Sequence, residues 1–185
     1  PPPAAGKPMV VVVTGNLGGA MIRLRAPLGP KIIGVNRKGK AVDGCSKVIT
    51  VDKIDSILPE ADILYLALPE TPGTKNLISR KRLDLLKPLC GIVNIGRQST
   101  MDYDALCEKL RANKLAGAIL DVFSPEPIGP NSRLWEVPNL IITPHVSADD
   151  RDDYVKLTLD LFIKNLQLFI SNKKLVNQID KDFSY

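Results

Sequence analysis

Histidine is almost missing from this chain: His145 is the single copy in 185 residues. Cysteine is scarce too, with Cys45, Cys90 and Cys107 far apart. No grouping of these residues has the spacing of a metal site, so metal-dependent chemistry is not expected. An odd number of separated cysteines also excludes a disulfide framework. They read as free thiols in a reducing compartment, with Cys90 a core residue beside a strand-like run. Aromatics are limited to one tryptophan, four tyrosines and four phenylalanines. The net charge is +5, but 25 basic residues are interspersed with 20 acidic ones. A nucleic-acid surface needs a clustered basic face with interleaved aromatics, so nucleic acid is not an expected partner. The longest apolar run, residues 9–13, is far too short to span a bilayer, and no signal segment is visible. A membrane is therefore not expected as a partner, and the expected location is cytoplasmic.

What is present suits one globular domain. The hydrophobic fraction is 44% and the charged fraction 24%, values of an ordinary soluble protein. The length allows one full core but not two. Short β-branched runs at 9–14, 31–35, 63–66, 91–95, 117–120 and 139–142 predict strands. Helical patterns at 17–25, 54–58, 80–86 and 103–112 lie between them. The strands read apolar on both faces, which predicts a parallel sheet covered by helices on each side. The expected fold is α/β, a doubly wound parallel sheet of Rossmann type built from right-handed crossovers. Asp102 is expected to cap the helix at 103–112, and Pro27 to end the first helix near Ala26. Residues 1–8, opening on three prolines, read as a linker, a tag remnant or a cut end. Residues 9–147 form the expected dinucleotide-binding domain, and 148–185 a C-terminal helix and tail. That helix, at 149–171, has an apolar face of Tyr154, Leu157, Leu161, Ile163, Leu166, Phe169 and Ile170. At 1.5 Å per residue it would be ~35 Å long, more than a crossover needs.

In open α/β sheets, ligands bind beyond the C-terminal ends of the strands. Several chemically informative residues fall there. The first strand runs into Val13-Thr14-Gly15-Asn16-Leu17-Gly18, a strand-turn-helix context in which helix N-terminal amides face a pyrophosphate. A plain βα turn is the alternative. The second strand ends at Asn36, followed by Arg37, Lys38, Gly39 and Lys40. A carboxylate at Asn36 would repel a ribose 2′-phosphate; a neutral Asn beside an Arg removes that repulsion and offers a planar cationic fork. This favours NADP, with NAD possible; the alternative is a solvated basic loop. Arg97 follows the strand at 91–95, Asp121 ends the strand at 117–120, Glu126 lies between Pro125 and Pro127, and His145 follows Pro144. A guanidinium can hold a substrate carboxylate, an imidazolium can protonate a ketone oxygen, and a carboxylate can keep that imidazole charged. Paired with Glu126, His145 is expected to titrate above the unperturbed value near 6.5.

The glycine turn, the segment Leu120-Asp121-Val122-Phe123-Ser124-Pro125-Glu126-Pro127 and Thr143-Pro144-His145 resemble the D-isomer-specific 2-hydroxyacid dehydrogenase family. The resemblance runs from about Gly6 to the end of the chain. It implies an NAD(P)-dependent oxidoreductase that reduces a short 2-oxo acid to the 2-hydroxy acid. Asn36-Arg37 and the ending Asn177-Gln178-Ile179-Asp180 look closest to the glyoxylate/hydroxypyruvate reductase branch. Gly15 and Gly18 then take the second and third glycine positions of the fingerprint, with Val13 in the place of the first. Gly15, Asn16, Leu17, Gly18, Asn36, Arg37, Lys38, Ile95 and Gly96 would contact the cofactor. So would Pro69 and Thr74, from a loop matching the family's Pro-x-Thr-x-x-Thr, and Asp121 would meet the nicotinamide carboxamide or ribose. Arg97, Glu126 and His145 would be catalytic. Where the family has Arg-Gly this chain has Arg97-Gln98, so Gln98 would be strained if that backbone needs positive φ. Trp135 is expected to pack under the His145 loop. The family's substrate domain comes mostly from the first third of its full-length chains, so the C-terminal helix would belong to a mostly absent domain. Alone, the chain is expected to bind cofactor with little or no turnover, and a homodimer is possible. A non-catalytic cofactor-sensing or interaction module that keeps the fold is the alternative.

Overall fold

The structure, a computed structural model, describes residues 6–12, 15–150 and 152–179. Seven parallel strands form one sheet: β1 (Met9–Val12), β2 (Ile32–Asn36), β3 (Lys47–Thr50), β4 (Ile63–Leu66), β5 (Gly91–Asn94), β6 (Gly117–Leu120) and β7 (Leu140–Ile142). Their order is β3-β2-β1-β4-β5-β6-β7. The chain leaves β1 in one direction and returns to its other side at β4, so the switch point lies between these two strands. The fold is the expected doubly wound Rossmann-type sheet.

Strand periodicity explains how the sheet is covered. In β1, Val10 and Val12 enter one core with Leu64, Leu66, Ile92, Leu83, Leu106 and Leu110. Met9 and Val11, one residue out of phase, enter a second core with Ile32, Tyr65 and Ile22. Helices α2 (Arg80–Leu85) and α3 (Tyr103–Arg111) thus serve one face, and α1 (Asn16–Arg25) serves the other. Each fully buried aliphatic side chain contributes about 1.5–3 kcal/mol of transfer free energy, which is why the central strands are the most apolar. The outer strands depart from the two-faced expectation. β6 and β7 leave Ile119 and Ile141 exposed, so burial there is largely one-sided.

Other differences have local causes. β3 was not expected: only Ile49 of its four residues is buried, and an edge strand with one buried side chain carries little pattern. The helix expected at 54–58 is instead two 3-10 turns, Val51–Ser56 and Leu58–Glu60. Pro59 cannot donate an i→i−4 hydrogen bond, and the chain breaks there. α1 ends at Arg25 with Ala26 as its C-cap, where Pro27 placed it. Asp102 caps α3, accepting from Ala105 N at 2.9 Å.

The chain divides into two compact units between His145 and Val146. The second contains α4 (Tyr154–Ile170), shorter than the expected 149–171. Ahead of it, the Asp150 carboxylate accepts from Asp152 N and Asp153 N. Aspartates that bond to nearby amides compete with helix and delay its start. No helix among the described residues is long and apolar enough to cross a membrane.

Candidate active site

The candidate residues lie at the C-terminal ends of strands or in the loops that follow them. Val13 and Thr14, which complete the first turn, lie outside the described residues. After them Gly15 is the N-cap of α1, in extended conformation, and Gly19 N donates to Gly15 O at 2.6 Å. The first turn of α1 has no acidic residue and no side-chain cap. Gly15, Asn16 and Leu17 are exposed while Gly18 is buried. An accessible N-terminus without a side-chain cap suits a phosphate group.

The Asn36 amide folds its own loop. Its Oδ1 accepts from Lys38 N and Lys40 N, each at 3.2 Å, and its Nδ2 donates to Lys40 O at 2.9 Å. Asn36 thereby shapes the turn that displays Arg37 and Lys38, a role that sequence reasoning did not foresee. Thr74 acts similarly beyond β4: its hydroxyl donates to Pro69 O at 2.6 Å and accepts from Thr71 N at 2.9 Å. That loop is tied to the one after β5 by Ser99 Oγ donating to Glu70 Oε2 at 2.8 Å and Asn76 N to Ser99 O at 2.7 Å.

Gly96 sits where those two loops converge. A Cβ at this position would stand 2.5 Å from both Leu68 N and Leu68 O, so only glycine fits. The turn is held by Asn94, which is fully buried. Its Oδ1 accepts from Gly96 N at 3.0 Å, and its Nδ2 donates to Arg97 O at 3.3 Å and to Tyr103 Oη at 3.2 Å. Arg97 is exposed, and its Nη1 donates to Gly96 O at 2.7 Å. Gln98 opens a 3-10 turn, Gln98–Thr100, and is not among the positive-φ residues. The anticipated strain at Gln98 is therefore absent: the backbone after Arg97 does not require glycine.

Asp121 is buried at the end of β6 and accepts a short hydrogen bond from Thr143 Oγ1. Two residues after Thr143, His145 takes a left-handed φ of 57° behind a tight turn in which its N–H donates to Thr143 O at 3.0 Å. This brings its Nδ1 to 2.8 Å from Glu126 Oε2. The other carboxylate oxygen, Oε1, accepts from Phe123 N at 2.6 Å, so Glu126 is held from both sides. The hydrogen bond from His145, then that from Phe123 N–H, hold the Glu126 carboxyl below the usual carboxylate range. The nearby charge of Arg97 acts in the same direction. A cation, a carboxylate and an imidazole from three separate strand ends thus come to one neighbourhood. Trp135 is half exposed, and its indole N–H donates to Gly129 O at 2.9 Å, bracing the 128–132 loop. Burial pushes the Cys90 thiol up to about 12, as befits an inert core residue. The described residues hold no cluster of three or more His, Cys, Asp or Glu that could bind a metal.

Asn94 and Tyr103 were not singled out from sequence as part of the site. The available signal was a polar residue closing an otherwise apolar strand, and an aromatic directly after a helix cap.

Residues 2–147 match the family described as D-isomer specific 2-hydroxyacid dehydrogenase, NAD binding domain. Among curated proteins, a D-3-phosphoglycerate dehydrogenase of Synechocystis is 32% identical over 177 residues, covering 92% of this chain and 31% of that one. Among solved structures, a D-isomer specific 2-hydroxyacid dehydrogenase from Xanthobacter autotrophicus, in complex with NADPH and MES, superposes with a TM-score of 0.92 at 28% identity. It covers 100% of this chain and 75% of that one. An NADPH-dependent glyoxylate/hydroxypyruvate reductase from Sinorhizobium meliloti, in complex with NADP and sulfate, gives 0.91 at 30% identity, covering 100% and 58%. The chain spans about half the length, or less, of the curated relatives it matches. Fold, matched residues and solved relatives agree: the chain belongs to the D-isomer specific 2-hydroxyacid dehydrogenase family, as its NAD binding domain.

Proposed function

We propose that this chain is the coenzyme-binding part of a cytosolic NADPH-dependent reductase of short 2-oxo acids, of the glyoxylate/hydroxypyruvate kind. The observation that carries the reading is the Glu126–His145 pair at 2.8 Å, with Arg97 near enough to influence the same carboxylate. The residues present fit a dinucleotide: the open N-terminus of α1 takes the pyrophosphate, and Gly96 lets two strand-end loops close together beside it. The Asn36-shaped turn offers Arg37 and Lys38 to a 2′-phosphate, which favours NADP over NAD. When bound, the coenzyme supplies the hydride. Arg97 holds the substrate carboxylate, and His145 gives its proton to the ketone oxygen. Glu126 fixes the ring so that Nδ1 faces the carboxylate and Nε2 is left for substrate. Asp121, anchored by Thr143, orients the nicotinamide end. Relatives include phosphoglycerate dehydrogenases as well as glyoxylate reductases; the choice of a small substrate rests on the Asn36-Arg37 and Asn177–Asp180 likeness to the second group.

The experiment is coenzyme oxidation, followed at the nicotinamide absorbance band, with glyoxylate and hydroxypyruvate on the natural full-length protein. Replacing His145 by Ala is expected to lower kcat by roughly 10²–10⁴-fold, the usual contribution of a positioned acid. Turnover that survives intact in that variant would sink the assignment of His145.

A further inference from the structure

We propose that Tyr103 is a positioning residue that sets the spacing between Arg97 and the Glu126–His145 pair; this rests on the reading of those three as the substrate machinery. Tyr103 is the first residue of α3 and is buried. Its hydroxyl stands between the segments that follow β5 and β6, which the backbone also joins where Asp121 N donates to Asn94 O at 3.0 Å. On one side the oxygen accepts from Asn94 Nδ2 at 3.2 Å. Asn94 holds the Arg97 turn through Gly96 N and Arg97 O. On the other side the same hydroxyl donates to Val122 O at 2.8 Å, one residue after Asp121 and four before Glu126. The ring adds a third tie, meeting Phe123 edge to face with centroids 6.2 Å apart and planes at 83°. Phe123 N is the amide that anchors Glu126 Oε1.

Every group in this relay is spent. Both hydrogens of Asn94 Nδ2 and its Oδ1 are engaged, and the single phenolic hydrogen goes to Val122 O. Burial pushes the phenol above its ordinary titration range, so the hydroxyl stays a donor throughout the useful pH range. A fully satisfied buried network of this kind has one low-energy arrangement. Here that arrangement places the cationic loop after β5 and the acid/base loop after β6 in fixed register. Tyr103 is buried and acts through Asn94, Val122 and Phe123.

Tyr103→Phe deletes the hydroxyl and keeps the ring against Phe123. His145 is the only histidine, so its imidazole signals in NMR report the acid/base pair without assignment ambiguity. These signals are expected to move in Tyr103→Phe, in the direction seen in Glu126→Gln, while NADPH binding stays within twofold of wild type. In the full-length protein, kcat/KM for glyoxylate is expected to fall about tenfold, which corresponds to about 1.4 kcal/mol. A His145 spectrum that superposes on wild type, with Glu126→Gln displaced, overturns the proposal. An unchanged kcat/KM overturns it equally. If the wild-type protein turns over no 2-oxo acid, the reductase reading fails, and the His145 spectrum alone decides whether Tyr103 positions the pair.

Discussion

Gly96→Ala is the substitution whose cost the geometry sets most directly. Its Cβ would lie 2.5 Å from Leu68 N and Leu68 O and 3.1 Å from Ala67 C. Ordinary contacts fall at about 3.5–4.0 Å, so the loops after β4 and β5 must part by about 1 Å. Neither can do so freely. Ile95 N donates to Leu66 O at 3.0 Å, Gly96 N donates to Asn94 Oδ1 at 3.0 Å, and Arg97 O accepts from Thr100 Oγ1 at 2.7 Å. Overpacking costs about 1–3 kcal/mol, and the loss of one or two of these hydrogen bonds adds about 1 kcal/mol each. The total is about 2–5 kcal/mol, or roughly 4–20 °C in melting midpoint for a chain of this size. Urea unfolding followed by circular dichroism measures the first quantity, and a thermal scan the second. Coenzyme affinity is expected to fall with stability, because the displaced loops are the ones proposed to line the coenzyme site. A loss below 0.5 kcal/mol would refute the claim that the two loops are locked together.

Leu89 adopts a φ of 63° and is 69% exposed. A left-handed leucine costs about 1–2 kcal/mol, so Leu89→Asn is expected to raise stability by about 0.5–1 kcal/mol in urea unfolding. A destabilised variant would contradict the assignment of strain there. Asp102→Ala removes the α3 cap on Ala105 N, with an expected loss of about 1 kcal/mol. Coenzyme affinity should remain unchanged; a selective loss of affinity would show that α3 contributes more than packing. For Glu126 the sign follows from a folded-state carboxyl held below its ordinary value, chiefly by His145. The pair therefore adds stability above the unfolded carboxylate value and loses it as pH falls through the folded one. The stability difference between wild type and Glu126→Gln is expected to be open at neutral pH, to close under acid, and to shrink with salt because the pair is part-exposed. A difference independent of pH would contradict the ion pair.

The central sheet was legible because burial on both faces forces continuous apolar runs. Val10, Val11, Val12, Ile32 and Ile33 announce β1 and β2 without any partner information. β3 was hidden because Lys47, Val48 and Thr50 are not fully buried, leaving Ile49 as its only core residue. Glu126 and His145 could be selected from sequence because the segments carrying them, 120–127 and 143–145, resemble the dehydrogenase family and supply a carboxylate and an imidazole. Their pairing was expected, but its geometry was not legible, since it depends on the left-handed turn at His145 and on Phe123 N. Asn36 stood out as a polar residue at a strand end and Thr74 through the Pro-x-Thr-x-x-Thr loop, but their hydrogen bonds close their own loops. The network of Asn94 and Tyr103 was hidden for a different reason: it is defined by three segments distant in sequence, and no local spacing encodes it.

The claim that this sheet edge is an NADP-selective coenzyme site is tested most directly by titrating the chain with NADPH and NADH, reading nicotinamide fluorescence. NADPH is expected to bind about tenfold or more tightly than NADH, as one charge-assisted phosphate contact would give. Arg37→Ala should erase most of that difference while leaving the NADH affinity in place. Tighter binding of NADH, or no binding of either, would contradict it.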